Sequence, residues 1–368
     1  MKRIFLVFAI LLLAVAVSAQ TPPPLISPEV HSDNRVTFRF RGPNAKEVSV
    51  SLEGAAKPLP MQKDEKGVWS VTSDPLPPDY YGYSIDVDGV TMFDPSNHSV
   101  KPNFLYRSSE VHVPGPATLS WEIGAVPHGV IHHHFYKSTL VGDDRDFFVY
   151  TPPGYDPRGM TAYPVLYLLH GFSDDASGWT AVGRANVILD NLIAQGKAKP
   201  MLVVMPLGYG APEVLTADSN DQAIHQRNKE RFREALLTEV IPQVESAYSV
   251  SKDRNYHAIA GLSMGGAESL LTGLKTLDQF AWIGAFSSGE IKKPYDKEFP
   301  ELDSKANQRL HLLWIACGTD DHLIATNREF RTWLASKGIQ HVDIETPGAH
   351  TWMVWRRNLT EFVPLLFH

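Results

Sequence analysis

A single cysteine, Cys317, occurs in the 368 residues. No intrachain disulfide can form, so the fold must be held by its apolar cores. Basic runs are also missing beyond Lys2-Arg3, and the formal net charge is -7. A nucleic-acid surface, which needs Lys and Arg clustered against phosphates, is therefore not expected. Long apolar runs are scarce as well: the one present is Ile4 to Val17. It falls short of the ~20 residues that a membrane-spanning helix requires. Met1-Lys-Arg3 precedes it and Ser18-Ala19-Gln20 follows, with Val17 and Ala19 in the small-residue positions of a cleavage site. This is the pattern of a cleavable export signal over residues 1–19. The chain is expected to be secreted or periplasmic, with no membrane span in the mature protein. Export without disulfides suits a bacterial periplasm or exterior.

Helical periodicity is absent over residues 24–118. Val36, Phe38 and Phe40 alternate with Thr37, Arg39 and Arg41, and Val48–Leu52 and Tyr81–Val87 repeat the two-residue period. Such alternation marks half-buried antiparallel strands, and turn signals such as Asp64-Glu-Lys-Gly67 and Asp88-Gly89 separate them. A small immunoglobulin-like β-sandwich is predicted. Trp69, Tyr80, Tyr81 and Tyr83 could stack on sugars, but aromatics at alternating positions more often fill a core. A module that supports or edges an active site is the preferred reading. Residues 119–127, within a Pro/Gly-rich stretch, are expected to be the linker.

From residue 128 to 368 the pattern changes. An antiparallel entry pair (Val130–Phe135, Asp146–Tyr150) leads into alternating strands and helices: strands Val165–Leu169, Leu202–Met205, Tyr256–Ala260, Trp282–Phe286, Leu312–Cys317 and Val342–Glu345, with helices near 185–195, 226–246, 264–277 and 327–337 and from about 353. Near-continuous apolar strands are expected where helices cover both faces of a mostly parallel sheet.

Gly261-Leu-Ser263-Met-Gly265 sits between one of these strands and its helix. A serine on so sharp a turn has its hydroxyl lifted clear of the sheet, and the flanking glycines remove side chains that would clash there. Taken alone, the motif could be a glycine-rich turn with an incidental serine. Three further strand ends give it partners. Leu168-Leu-His-Gly-Phe172 enters the loop from which an α/β-hydrolase draws one oxyanion N–H, the other coming from the residue after the nucleophile. Those donors would be the backbone N–H groups of Phe172 and Met264, with His170 orienting the loop. Cys317-Gly-Thr-Asp-Asp-His322 offers Asp320 or Asp321 as the acid, and Pro347-Gly-Ala-His350 offers the base. The chain order Ser, Asp, His is that of an α/β-hydrolase. The histidine would take the serine proton and pass it to the leaving alcohol, while the aspartate fixes the imidazole tautomer. His132-His-His134 does not suggest a metal site, because neighbouring residues on a strand face opposite ways.

Together, Val149-Tyr-Thr-Pro-Pro-Gly-Tyr155, Leu168-Leu-His-Gly-Phe172 with Trp179, Gly261-Leu-Ser-Met-Gly-Gly266, Gly318-Thr-Asp-Asp321 and Gly348-Ala-His-Thr-Trp352 resemble the esterase D-type α/β-hydrolase superfamily. Within it the pattern is most similar to bacterial feruloyl and acetyl xylan esterases, which are often preceded by an E-set module. The resemblance covers essentially the whole second domain. It implies the triad Ser263, Asp321 and His350, with Asp321 preferred to Asp320 because the family places the acid second after Gly-Thr. The histidine motif is often Gly-Gly-His in the family and is Gly-Ala-His here. No metal or organic cofactor is implied. The expected substrate is an ester-decorated polysaccharide or oligosaccharide. Trp179, Tyr209 and Trp352 are candidates for substrate binding, with Phe172 also placed to stack on an aromatic acyl group. Residues 287–309 leave no room for a large helical lid, so an open cleft is expected. Relatives with the same core include siderophore esterases, a general carboxylesterase is a further alternative, and a catalytically idle carbohydrate-binding protein is the non-enzyme one. Oligomeric state is not legible.

Overall fold

The computed structural model describes residues 24–218 and 221–368; the export signal expected over residues 1–19 lies outside the described residues. The N-terminal unit is a two-sheet antiparallel sandwich. One sheet joins Glu29–Val30, Val36–Arg41, Val68–Thr72 and Gln62–Lys63; the other runs Leu59–Pro60, Val48–Leu52, Asp79–Val87, Ser108–Val113 and Val100–Lys101, with Val90–Met92 paired to the long strand. The two-residue period does what it must: Val36, Phe38, Val50 and Ile85 are fully enclosed between the sheets. Trp69, Tyr80, Tyr81 and Tyr83 are buried too, so they belong to packing and cannot form a sugar platform.

The second unit is an eight-stranded sheet covered by helices. Its strands are β1 (Val130–Lys137), β2 (Asp144–Thr151), β3 (Val165–Leu169), β4 (Leu202–Pro206), β5 (His257–Leu262), β6 (Trp282–Phe286), β7 (Leu312–Gly318) and β8 (Val342–Thr346), in the spatial order β1-β2-β4-β3-β5-β6-β7-β8. The β1–β2 and β2–β4 pairs are antiparallel and the rest are parallel. Every residue of β3, β4, β5 and β6 is buried, which is why those segments read as unbroken apolar runs. The principal helices are α1 (Ala185–Ala194), α2 (Gln222–Ala235), α3 (Met264–Lys275), α4 (Ile324–Ser336) and α5 (Trp352–Phe362). The helix expected from residue 226 starts at Gln222, because the Asp221 carboxylate accepts the N–H groups of Ala223 and Ile224 and caps it. It continues through a π-helical turn at Leu236–Val240 into Ile241–Ala247. Among the described residues no helix is long and apolar enough to cross a membrane.

The two units are docked closely. Arg356 of α5 is fully buried, donating to Asp79 Oδ1 at 2.9 Å from Nε, to Tyr80 O and to Val182 O; Arg357 donates to Asp79 Oδ2 at 3.2 Å. The stretch expected to be a linker is itself packed down. Trp121 is buried, and the Asn191 amide of α1 donates to Ser120 O and Glu122 O, each at 2.8 Å.

Candidate active site

β5 ends in the centre of the sheet, and the chain must turn sharply to start α3. Ser263 makes that turn with φ 50° and ψ -114°, a conformation that strains any residue with a Cβ and persists only where the surroundings enforce it. The enforcement is visible. Ser263 N–H donates to Phe286 O at 2.9 Å, while Ser263 O accepts from Gly289 N–H at 2.8 Å and Ala267 N–H at 3.1 Å. At Gly265 an added Cβ would lie 2.4 Å from His170 O, so only glycine lets α3 begin this close to the end of β3.

The side chains from three strand ends meet. His350, after β8, places Nε2 3.0 Å from Ser263 Oγ and Nδ1 2.8 Å from Asp321 Oδ2. Nδ1 donates to the carboxylate, so Nε2 is left bare to accept the serine proton. Asp321 is buried, and Leu323 N–H donates to its Oδ1 at 2.8 Å. Burial works against its charge, but the hydrogen bond and charge of His350 and the Leu323 N–H outweigh that and hold the carboxyl below its ordinary value. Asp320 is exposed and does not take this position.

His170 is buried, with Nδ1 donating to Gly171 O and Nε2 accepting Gly208 N–H, both at 2.8 Å. Burial drives its pKa down to about 4, so it is neutral and ties the loop after β3 to the loop after β4. It carries no proton toward Ser263. Phe172 and Met264 both border the space above the serine. As the first residue of α3, Met264 has an N–H with no partner inside its helix.

Two clefts diverge from Ser263. The larger, about 860 Å³, runs between the units and is bounded by Gly171, Phe172, His350 and Trp352 on one side and by Glu53, Lys101 and the segment Asn103–Ser108 on the other. The smaller, about 480 Å³, runs along α2 and Gly289–Lys293. Among the described residues, no helix closes over either cleft.

Three aromatic expectations need correcting or refining. Trp179 is fully buried against Phe286 and Trp352, with its indole N–H donating to Leu169 O. Tyr209 is buried with its hydroxyl donating to Asp174 O. Both pack behind the loops and cannot touch substrate. Trp352 bounds the larger cleft, but its ring is almost wholly enclosed, and its backbone N–H donates to Glu53 Oε1 at 3.1 Å. An N-terminal unit that edges the site was expected from sequence, but the residues that form its wall were not singled out. Its one signal is the apolar run Phe104-Leu-Tyr106 inside an otherwise polar loop.

Metal ligation is poorly served here. Asp321, His322 and His350 bring ligand atoms within 4.8 Å of one another, yet an ion there would have to displace the proton shared by Asp321 and His350. His132, His133 and His134 engage Thr151, Asp146 and Tyr248 separately.

A mostly parallel eight-stranded sheet with a strained serine after β5, an acid after β7 and a histidine after β8 defines an α/β-hydrolase. Comparison with known proteins agrees and narrows the class. Residues 138–366 match the family model described as "Putative esterase", and the chain belongs to that esterase family. It is 31% identical over 347 residues to an endo-1,4-beta-xylanase/feruloyl esterase of Xylanibacter ruminicola, covering 92% of this chain and 46% of that protein. The chain thus spans about half the length of that relative. An acetyl esterase of Caldicellulosiruptor saccharolyticus is 27% identical over 226 residues, covering 52% of this chain and 79% of the relative. Among solved structures, a CE1 ferulic acid esterase of Anaeromyces mucronatus superposes with TM-score 0.60 at 25% identity, covering 69% of this chain and 96% of that one. The enterobactin esterase of Shigella flexneri superposes with TM-score 0.67 at 18% identity, covering 91% and 94%. That last likeness is one of fold.

Proposed function

We propose that this chain is an exported serine esterase that hydrolyses feruloyl or acetyl esters borne on plant polysaccharide, with residues 24–118 as an E-set-like module, 119–127 as the connection and 128–368 as the catalytic domain. The observation that carries the reading is the unbroken chain Ser263 Oγ, His350, Asp321 at 3.0 and 2.8 Å, opening on the cleft between the units. His350 Nε2 takes the Ser263 proton as Oγ attacks the ester carbonyl carbon. The oxyanion is received by the Phe172 and Met264 N–H groups, placed where charge develops. The tetrahedral intermediate collapses as His350 returns its proton to the departing alcohol oxygen, leaving an acyl-serine. Water, deprotonated by His350, then releases the acid and restores Ser263. The feruloyl and acetyl esterases among the relatives support this substrate class, and the export signal over residues 1–19 would bring the enzyme to such polymers.

The test is hydrolysis of p-nitrophenyl acetate, methyl ferulate and acetylated xylan by the wild type and Ser263→Ala. Loss of the nucleophile is expected to lower kcat by about 10⁶, as in serine hydrolases that act as a unit. Wild-type turnover no better than the mutant on every ester would defeat the enzyme reading. A fold shared with an enterobactin esterase across both units supports a second reading, a siderophore esterase. A higher kcat/KM on an enterobactin-type triester than on the two plant esters would select it.

A further inference from the structure

We propose that the larger cleft binds the alcohol part of the ester, the sugar, with Phe93, Phe104 and Tyr106 of the N-terminal unit as its stacking wall, and that the smaller cleft takes the acyl group. This rests on the serine-esterase reading above and adds a direction to it. The departing alkoxide needs a proton from His350 Nε2, so its oxygen must lie within hydrogen-bond reach of that atom. His350 bounds only the larger cleft. Met264, the proposed second oxyanion donor, bounds only the smaller. With the leaving group toward His350 in the larger cleft, the smaller cleft, which also reaches Ser263 and runs along α2, is the space left for the acyl chain.

The larger cleft carries a surface that packing does not explain. Tyr106 is 64% exposed, Phe104 54% and Phe93 37%. Large exposed apolar side chains grouped in one concave site mark a binding surface far better than the same residues scattered singly. Aromatic faces match the C–H faces of a pyranose, while hydroxyls at the sugar's rim reach the polar remainder of the wall.

The wall is also held in place. Asn103 Oδ1 accepts the N–H groups of Leu105 and Tyr106, at 3.0 and 2.9 Å. Its Nδ2 donates to Ser173 Oγ and Asp174 Oδ1, both at 3.0 Å, and Phe104 N–H donates to Ser173 O at 2.8 Å. Ser173 and Asp174 belong to the loop that carries Phe172. The aromatic strap and the proposed oxyanion donor are thereby one framework, and preorganisation of this kind lowers the ordering cost of binding.

The experiment compares two esters with one acyl group and different alcohols, methyl ferulate and a feruloylated xylo-oligosaccharide, or the matching acetyl pair if wild type prefers acetyl. Tyr106→Ala and Phe93→Ala should each lower the ratio of kcat/KM, sugar ester over simple ester, by roughly tenfold, through KM for the sugar ester. A ratio that stays the same, or rises because the simple aromatic ester suffers more, overturns the assignment. Thermal melts of each variant check that it is folded. If wild type surpasses Ser263→Ala on neither ester, the esterase reading itself fails and takes this proposal with it; turnover with an unmoved ratio sinks this proposal alone.

Discussion

Asp174 faces both the strap and the proposed oxyanion loop, and its charge is held against its surroundings. Burial pushes its carboxyl up to about 7 from an ordinary 3.8, with Lys101 and the Asn103 amide pulling the other way and Asp175 adding to the rise. A carboxyl whose folded pKa lies above its unfolded value binds its proton more tightly in the native state. The folded protein gains from protonated Asp174 at low pH, and that gain is lost as pH climbs from about 4 through 7. Asp174→Asn keeps the shape and the contact with Asn103 but removes the titration. Relative to the wild type, the variant should therefore become more stable as pH rises over this window, by about 1.4 kcal/mol for each unit separating the folded and unfolded pKa values. Urea unfolding of both proteins at pH 4.5 and pH 8 measures it. A difference that is flat with pH would show that Asp174 ionises normally.

At the scale of elements, the junction of β5 and α3 is the tightest fit near the site. Gly265 brings the first turn of α3 against the carbonyls of Leu169 and His170, which sets the distance between the N–H of Met264 and the loop holding Phe172. In Gly265→Ala, the new methyl would meet His170 O at 2.4 Å, and helix and loop must part. The proposed oxyanion donors would then lose their shared focus, and kcat should fall by about 10²–10³, with KM moving much less. A fall confined to KM would mean that the donors lie elsewhere. This junction was legible in the sequence because a strand, a glycine-flanked serine and a helix follow one another within a few residues. The core strands were equally legible, since β3 to β6 are buried on both faces and carry no polar alternation to confuse the reading. The start of α2 was not: Gln222 to Arg227 has almost no apolar periodicity, and the helix begins there because Asp221 caps it. Trp179 and Tyr209 were misplaced for a related reason. Nearness in sequence to a site motif does not tell which side of the loop a ring packs on, and both rings go inward behind the loops.

At the scale of the molecule, the sequence predicts an N-terminal unit that supports or edges the site, but it does not show which residues join the two units. Docking depends on side chains far apart in the chain, and nothing in local periodicity encodes it. Its centre is Asp79, whose carboxylate is fully buried beneath Arg356 and also receives Arg357. α5 therefore binds the sandwich one turn after Trp352, whose backbone N–H is held by Glu53, and two residues before that stands His350. The position of the proposed base is thus set partly by the N-terminal unit. Removing the carboxylate in Asp79→Ala leaves the Arg356 guanidinium buried without its counter-charge, a defect that typically costs about 3–5 kcal/mol. Asp79→Leu combined with Arg356→Met removes both charges together and should recover a large part of that loss, because the desolvation penalty goes with the pair. Thermal unfolding of Asp79→Leu, Arg356→Met and the double variant, beside Asp79→Ala, separates these terms. The catalytic consequence should also differ from that of the strap. Loosening α5 displaces His350 for every substrate, so Asp79→Ala should lower kcat on methyl and sugar esters alike, whereas Tyr106→Ala selects against the sugar ester. If Asp79→Ala loses stability yet keeps full kcat on a simple ester, the base is positioned by the catalytic domain alone, and the sandwich acts only as the cleft's far wall.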